Sequence, residues 1–257
     1  MGRRVGQHLG LVLGLALCLS GCFQSDLTLR FDHQNHGQLS QVIDLGERGT
    51  ALAQGSLTPW LKTLEQRVKR LGGELSQDPS TIRLTVPFGT PQDLVTRFNQ
   101  LFAEAESSPA EAGWQRLTAP GLGLIPFKLE VDQQSWGLAA RTHLVYDLDL
   151  SDFAPSGSSP SGEDHNRGSA FFFCLQTPWG IRQLRPGGLT PLTALSPVTR
   201  WQLQLGQVNH IDVIFWLPNV VGLGALGIFG LVLLGYFVRY RWLSPPSASS
   251  PLSFGQK

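Results

Sequence analysis

The sequence has few cysteines, and this excludes one class of extracellular protein. Only three occur among 257 residues, namely Cys18, Cys22 and Cys174. The first two are assigned below to an export signal, which leaves Cys174 without a cysteine to pair with. A framework of disulfide bonds, which small secreted domains use in place of a large core, is therefore excluded within the mature chain.

An excess of charge of either sign is also lacking. Lys and Arg together number 20 and Asp and Glu 19, which gives a net charge of +1 at pH 7. Proteins that bind nucleic acid usually concentrate basic residues on one surface. The composition therefore gives no electrostatic reason to expect a nucleic-acid partner.

Motifs of common enzyme classes are absent as well. The sequence contains no G-x-S-x-G nucleophile elbow, no H-E-x-x-H zinc motif and no glycine-rich nucleotide loop. We therefore expect a protein that is not an enzyme, with no catalytic residue and no cofactor.

Two groups of polar residues resemble parts of a metal site, but an interpretation without a metal is preferred for each. His33 and His36 lie at a predicted hairpin turn without a third ligand nearby, as exposed turn residues commonly do. Asp147, Asp149 and Asp152 crowd one strand end, but the glycine and the terminal Glu of an EF-hand loop are missing. No metal site is predicted.

The N-terminal end has the three parts of an export signal. Arg3 and Arg4 come first, an apolar stretch runs from Leu9 to Leu19, and small residues precede Cys22. The stretch is shorter than the roughly 20 apolar residues that a membrane span needs. We therefore predict that residues 1–21 are a signal peptide.

The residues around the cleavage point resemble the lipobox of bacterial lipoproteins, with Leu19-Ser20-Gly21 directly before Cys22. The resemblance implies cleavage before Cys22 and a thioether-linked diacylglycerol on its sulfur. Two alternatives stay open, an uncleaved signal anchor and a redox pair of Cys18 with Cys22. The redox pair is the weaker of the two, because the spacing is not C-x-x-C and no folded scaffold surrounds it.

A second apolar run, from Val213 to Val238, lies toward the C-terminus. It contains no charged residue and is long enough to cross a bilayer with some tilt, with Pro218 in the first turn of the helix. Asp212 directly before it is either a site near the membrane or a residue that favours a helix N-terminus. The span and its flanks are predicted over residues 211–240.

The charges after this run predict the topology. Arg239 and Arg241 follow at once, and basic residues next to a span favour the cytoplasmic side. The short tail at residues 241–257 is then cytoplasmic, and the domain at residues 22–210 is extracytoplasmic, as the export signal also requires. We expect a single-pass protein of a plasma or thylakoid membrane, with its main domain on the periplasmic or lumenal side.

Between the two ends, the first half alternates strands and helices. The segment DLTLRFDHQNHGQLSQVIDL predicts two strands around a turn at Asn35-His36-Gly37. Apolar residues at three- and four-residue spacing then predict two amphipathic helices, capped by Thr58 and Thr90, with the strand TIRLTVPF between them. The predicted order is β-β-α-β-α.

The second half is predicted to be β structure. A long strand to about Asp132 pairs with one from Leu138 to Leu150, and a polar loop at about residues 154–168 is expected to be mobile. Cys174 falls in an apolar strand, where we expect a small buried hydrophobe. The fold class is therefore α+β, a β-rich domain with an antiparallel sheet and two amphipathic helices, plus one C-terminal transmembrane helix.

Several of these segments resemble the cyanobacterial family DUF3153. They are the lipobox, FDHQNHGQLSQVIDLGERGTAL, WLKTLEQRVKRLGG, VPFGTPQDLVTRFNQLF and FWLPNVVGLG. The layout is also similar to the LppM-type lipoproteins of mycobacteria, with a lipobox, a β-rich outer domain and one C-terminal span. The first resemblance implies no catalytic residues, since that family has no assigned activity, and the second adds lipid binding by analogy of fold alone.

Two functions are consistent with this layout. We expect a non-catalytic binding or assembly module for a membrane complex, with the lipid bilayer and another membrane protein as partners. The alternative is a domain that binds a lipid or an apolar ligand at the membrane surface. Four basic residues of the first helix could face anionic headgroups, although an ordinary solvated helix face is preferred; they are Lys62, Arg67, Lys69 and Arg70.

Overall fold

The structure is a computed structural model that describes residues 24–45, 59–103, 113–119, 123–153, 170–195 and 197–242. These ranges contain twelve strands and three helices. The strands are β1 (Gln24–His33), β2 (His36–Asp44), β3 (Glu74–Gln77), β4 (Thr81–Phe88), β5 (Gln115–Ala119), β6 (Gly123–Trp136), β7 (Ala139–Asp149), β8 (Ala170–Gln176), β9 (Ile181–Leu184), β10 (Thr193–Leu195), β11 (Val198–Leu203) and β12 (Val208–Pro218). The helices are α1 (residues 59–70), α2 (Pro91–Phe102) and α3 (Val220–Phe237), and a short π-helical segment (Val238–Trp242) continues α3.

Alternation of apolar and polar residues produces the hairpins that the sequence predicts. Leu29 of β1 lies opposite Leu39 of β2, and Leu129 of β6 lies opposite Tyr146 of β7. All four side chains are buried, because every second residue of a strand faces the same side of its sheet. The prediction of an α+β, β-rich domain is therefore confirmed, although β3 is an additional strand between α1 and β4.

The strands form two sheets rather than one, and one pair is parallel. The first sheet has the order β10-β11-β8-β1-β2-β4-β3, and the second has the order β5-β6-β7-β12-β9. β1 and β8 run parallel, so the prediction of an antiparallel sheet holds for every described pair except this one. The sequence could not indicate this parallel pair, because the two strands are separated by the whole of β2 to β7. Periodicity carries no information about which strands pair with each other.

Aromatic rings fill the space between the sheets. Phe31 of the first sheet meets Phe215 of the second at 5.1 Å between ring centroids. Tyr146 of the second sheet stacks on Phe173 of the first at 4.8 Å, and Phe98 of α2 meets the same tyrosine at 6.2 Å. Each ring buries a large apolar area, which stabilises the fold by about 1.5–3 kcal/mol per side chain.

α1 and α2 cap each other's C-terminal ends. Arg67 of α1 donates to the carbonyl oxygens of Leu101 and Ala103 at 3.0 and 3.1 Å. Arg97 of α2 donates to the carbonyl oxygen of Leu71 at 2.6 Å. Carbonyl groups in the last turn of a helix lack partners within the helix, so each arginine satisfies groups that the other helix leaves open.

The start of the predicted membrane span is corrected by β12. This strand pairs with β7 along its whole length, up to Pro218 opposite Ala139. Val213, Phe215 and Leu217 are buried in the core. The first six residues of the apolar run therefore belong to the domain, and hydropathy could not reveal this because a strand buried in a core and a lipid-facing helix are equally apolar.

The helix itself begins later than predicted. α3 starts at Val220, so Pro218 is the last residue of a strand and Asp212 lies within that strand rather than at a helix N-terminus. Val220–Arg241 has 22 residues and a mean hydropathy of 2.2, and no residue of α3 is buried inside the domain. This helix is long and apolar enough to cross a membrane.

Candidate functional site

α3 is joined to the domain through one asparagine. Asn219 is the single residue between β12 and α3, and only 9% of its surface is exposed. Its Oδ1 atom accepts a hydrogen bond from the N–H of Gly222 at 3.0 Å, and its carbonyl oxygen accepts from Leu223 at 2.9 Å. Asn219 is therefore the N-cap of α3, a position that favours asparagine because its side chain satisfies a free N–H group.

The same asparagine holds the turn between β6 and β7. Its Nδ2 atom donates to the carbonyl oxygen of Gly137 at 2.7 Å, and its backbone N–H donates to that of Leu138 at 2.9 Å. Gly137 has a φ of +63°, which a glycine adopts without strain. The first turn of α3 is thus bonded directly to a tight turn of the second sheet.

A buried glutamine adds the first sheet to this junction. Gln34, in the turn between β1 and β2, is 8% exposed and donates to Asn219 Oδ1 at 2.8 Å. Its backbone N–H donates to the carbonyl oxygen of Pro218 at 3.2 Å, and its Oε1 accepts from Ser135 at 3.2 Å. We call Gln34, Ser135, Gly137, Asn219 and Gly222 the helix root.

Close approach at the helix root requires glycine at position 222. A Cβ atom added to Gly222 would overlap the carbonyl oxygen of Gly137. The same atom added to Gly224, Gly227 or Gly230 would meet nothing within 4 Å. Amide groups buried in this way are costly to leave unpaired, at about 1–3 kcal/mol each, so the helix root couples α3 to both sheets.

Sequence reasoning missed the helix root, although one signal was present. Asparagine is a preferred N-cap, and Asn219 stands directly before VVGLG. Because the apolar run is predicted to start at Val213, Asn219 falls inside the predicted helix rather than at its N-terminus. Gln34 and Asn219 are 185 positions apart, and nothing in either local pattern indicates that they meet.

A second polar group lies on the outer face of the five-stranded sheet. His143 Nε2 is 2.7 Å from Asp212 Oδ1, and Arg185 lies 3.9 Å from the same oxygen. His210 Nδ1 is 2.5 Å from Asp147 Oδ1. Among the described residues neither histidine is bonded to a hydroxyl or a thiol, so these pairs lack the nucleophile of a catalytic triad.

The three aspartates considered from the sequence have separate roles. Asp147 pairs with His210, Asp149 accepts from the N–H of Ser151 at 2.9 Å, and Asp152 is exposed in a short helical turn. In the described part of the chain, no three His, Cys, Asp or Glu residues converge to hold a metal ion.

His33 and His36 flank the hairpin turn, which lies one residue earlier than the turn predicted at Asn35-His36-Gly37. Their ring centroids are 5.5 Å apart, and His36 Nδ1 is 2.9 Å from a carboxylate oxygen of Asp32. β2 already begins at His36, so the turn itself is formed by Gln34 and Asn35.

Cys174 is half-buried rather than part of the core. Its neighbours Phe173 and Leu175 face the interior, which turns Cys174 to the outer face of the first sheet. Burial there raises the pKa of its thiol; Arg200 nearby opposes the rise and Asp26 adds to it. A thiol with a raised pKa is a poor nucleophile.

The remaining predictions fall partly outside the described residues. Cys22, the signal peptide at residues 1–21 and the loop at residues 154–168 all lie outside them. On α1, Arg67 donates to carbonyl groups of α2, and Lys69 pairs with Glu65 at 2.6 Å. The basic surface considered for headgroup binding is therefore partly engaged in contacts within the protein.

Comparison with known proteins gives one family. No curated protein matches the chain. A structural match is the folded domain of LppM from Mycobacterium tuberculosis, solved by NMR, with 11% identity and a TM-score of 0.41, covering 79% of this chain and 94% of that one. The family described as "Protein of unknown function (DUF3153)" matches residues 28–244, and the chain belongs to that family.

Proposed function

We propose that this protein is a non-catalytic module that binds another membrane protein and takes part in assembling a membrane complex. α3 and a lipid on Cys22 would hold it on the extracytoplasmic side. The observation that carries the proposal is the helix root, because it makes α3 and the two sheets one mechanical unit.

A rigid junction has a specific use in such a module. One residue separates β12 from α3, and that residue is hydrogen-bonded to turns of the second sheet and, through Gln34, of the first. A flexible linker would let the domain rotate freely above the bilayer. A rigid one presents the same face at the same height to any partner in that membrane, which lowers the entropy lost on binding.

The surface of α3 is available to such a partner. Beyond the first turn, where Gly222 lies against Gly137, no residue of α3 is buried, and Gly224, Gly227 and Gly230 have open space around them. Small residues allow helices to approach closely within a bilayer. The helix and the oriented domain can therefore contact one partner together.

The described core favours this function over an internal ligand site. The rings between the sheets contact one another at 4.8–6.2 Å between centroids, so side chains occupy the space where an apolar ligand would be enclosed. The polar face with His143 and His210 lacks a neighbouring nucleophile among the described residues, which favours binding over catalysis.

The test compares complex formation with the helix root intact and broken. The full chain is extracted from its native membranes in a mild detergent, cross-linked and separated by native electrophoresis. We expect a discrete complex that Asn219→Ala weakens several-fold. Asn35→Ala is the matched control, since Asn35 is an exposed asparagine in the neighbouring turn. Recovery of the chain as a free monomer, or equal complex formation by Asn219→Ala, would count against the proposal.

A further inference from the structure

Three of the exposed apolar side chains of the domain lie at the end that carries α3. Trp136, Leu138 and Trp179 are 66%, 44% and 46% exposed. Among the tryptophans whose side chains the structure describes, these two are the exposed ones. Both lie in or beside turns at this end of the domain. A tryptophan left in water keeps a large apolar area unburied, so its position needs a physical reason.

Two of these side chains lie next to the first turn of α3. Trp136 and Leu138 flank Gly137, whose carbonyl oxygen accepts from Asn219 at 2.7 Å. The carbonyl oxygen of Leu138 accepts from the backbone of the same asparagine at 2.9 Å. The turn between β6 and β7 therefore lies beside Asn219, the residue from which α3 leaves the domain.

Register places Trp179 at the same end. Ile181 of β9 lies opposite Phe215 of β12, three positions before Pro218. Trp179 precedes Ile181 by two positions, in the turn that connects β8 to β9. Since strands rise about 3.3 Å per residue, its backbone is within roughly 10 Å of the end of β12.

Interfacial tryptophan has a known preference that fits this arrangement. The indole ring combines an apolar body with one N–H donor, and it concentrates at the level of lipid headgroups on both sides of a bilayer. Insertion of a neighbouring leucine is favourable by about 25 cal/mol per Å² of apolar area removed from water. The helix root keeps these side chains at a constant distance from α3.

We propose that Trp136, Leu138 and Trp179 form an interfacial rim, which is immersed in the headgroup layer of the same bilayer that α3 crosses. The occupant of this surface is the lipid of the domain-side leaflet. The rim fixes the height and tilt of the domain on the membrane. This inference rests on α3 spanning the bilayer, which belongs to the proposed function.

Quenching of tryptophan fluorescence by brominated lipids tests the rim. The full chain is reconstituted in phosphatidylcholine vesicles that contain lipids brominated near the headgroup end of the acyl chains. We expect Trp136→Phe and Trp179→Phe together to lower the quenching, because they remove two interfacial tryptophans. Trp60→Phe is the matched control, because Trp60 packs against the core in α1, and it should leave the quenching unchanged.

A third variant separates failure of the rim from failure of the span. Leu231→Trp, near the middle of α3, should be quenched by lipids brominated deep in the acyl chains. Deep quenching of this variant with no loss of shallow quenching in the double variant overturns the rim alone. Absence of deep quenching overturns the span and the rim with it. Circular dichroism confirms that each variant is folded.

Discussion

At position 222 a single hydrogen atom in place of a side chain decides how closely α3 approaches the turn between β6 and β7. The neighbouring glycines of α3 look the same in the sequence, but they have open space around them. Glycine lowers helix stability relative to alanine by roughly 0.5–1 kcal/mol in a helix interior. At Gly222 that cost is offset by a contact, and at Gly224 nothing in the domain offsets it.

Alanine substitutions at these two positions should therefore have different effects on stability. Gly222→Ala forces a Cβ atom onto the Gly137 carbonyl oxygen, and we expect a loss of about 1–3 kcal/mol. Gly224→Ala should leave stability unchanged or raise it slightly. Thermal unfolding of the full chain in detergent micelles measures both, with a drop of several degrees expected only for Gly222→Ala. Equal melting temperatures for the two variants would show that the contact carries no energy.

Asn219 and Gln34 show the limits of sequence reasoning at this scale. The capping preference of Asn219 could be recognised from its own neighbours once the helix start is known. The partner of that cap could not, because Gln34 lies in a turn 185 positions away and turn glutamines are common and usually exposed. Polar contacts between distant turns depend on the packing of the whole fold.

Among the elements, α2 begins at the capping residue that the sequence indicates. Thr90 Oγ1 accepts from the N–H of Asp93 at 3.1 Å, and the carboxylate of Asp93 accepts from the N–H of Gly89 at 2.8 Å. Burial of the Asp93 carboxyl favours its neutral form. The Gly89 N–H and the Arg97 guanidinium outweigh burial and hold the pKa of Asp93 below its ordinary value of 3.8.

This cap should make stability depend on pH in acid. Because the pKa is lower in the folded state, ionised Asp93 stabilises the fold above the unfolded pKa of 3.8, and the contribution is lost as pH falls through the folded pKa. Asp93→Asn should therefore lower the free energy of unfolding at neutral pH, with a smaller difference at an acid pH below 3.8. Urea unfolding at both pH values measures this.

Asp132→Asn provides the matched control, on an exposed position of β6. It should leave the free energy of unfolding unchanged at neutral pH. A difference between Asp93→Asn and the unsubstituted chain that stays constant across the acid range would contradict the assignment of the cap.

The elements also differ in how well the sequence predicts them. α1, α2 and the two hairpins have long periodic patterns, and they form where predicted, although the first turn lies at Gln34 and Asn35 and β6 continues to Trp136. β3, β9 and β10 have three or four residues each, too few to establish a period. β12 and α3 share one apolar run, and only the pairing of β12 with β7 and β9 shows where the strand ends.

For the whole molecule, the helix root joins two predicted parts by hydrogen bonds. The sequence predicts a β-rich domain and an apolar helix, and both are present. It does not predict the second sheet or the parallel pair of β1 and β8, because strand partners far apart in sequence are chosen by the packing of the complete core. The hydrogen-bonded connection between the domain and α3 arises at that scale too, where turns of both sheets meet at Asn219.

The distance between the domain and α3 tests this rigidity most directly. Spin labels are introduced as unnatural amino acids at Val208, exposed at the start of β12, and at Leu231, exposed on α3, in the full chain held in lipid nanodiscs. Double electron–electron resonance then measures the distribution of distances between the labels. A rigid helix root predicts one narrow distribution, which broadens in Asn219→Ala. A broad distribution in the unsubstituted chain would contradict the account.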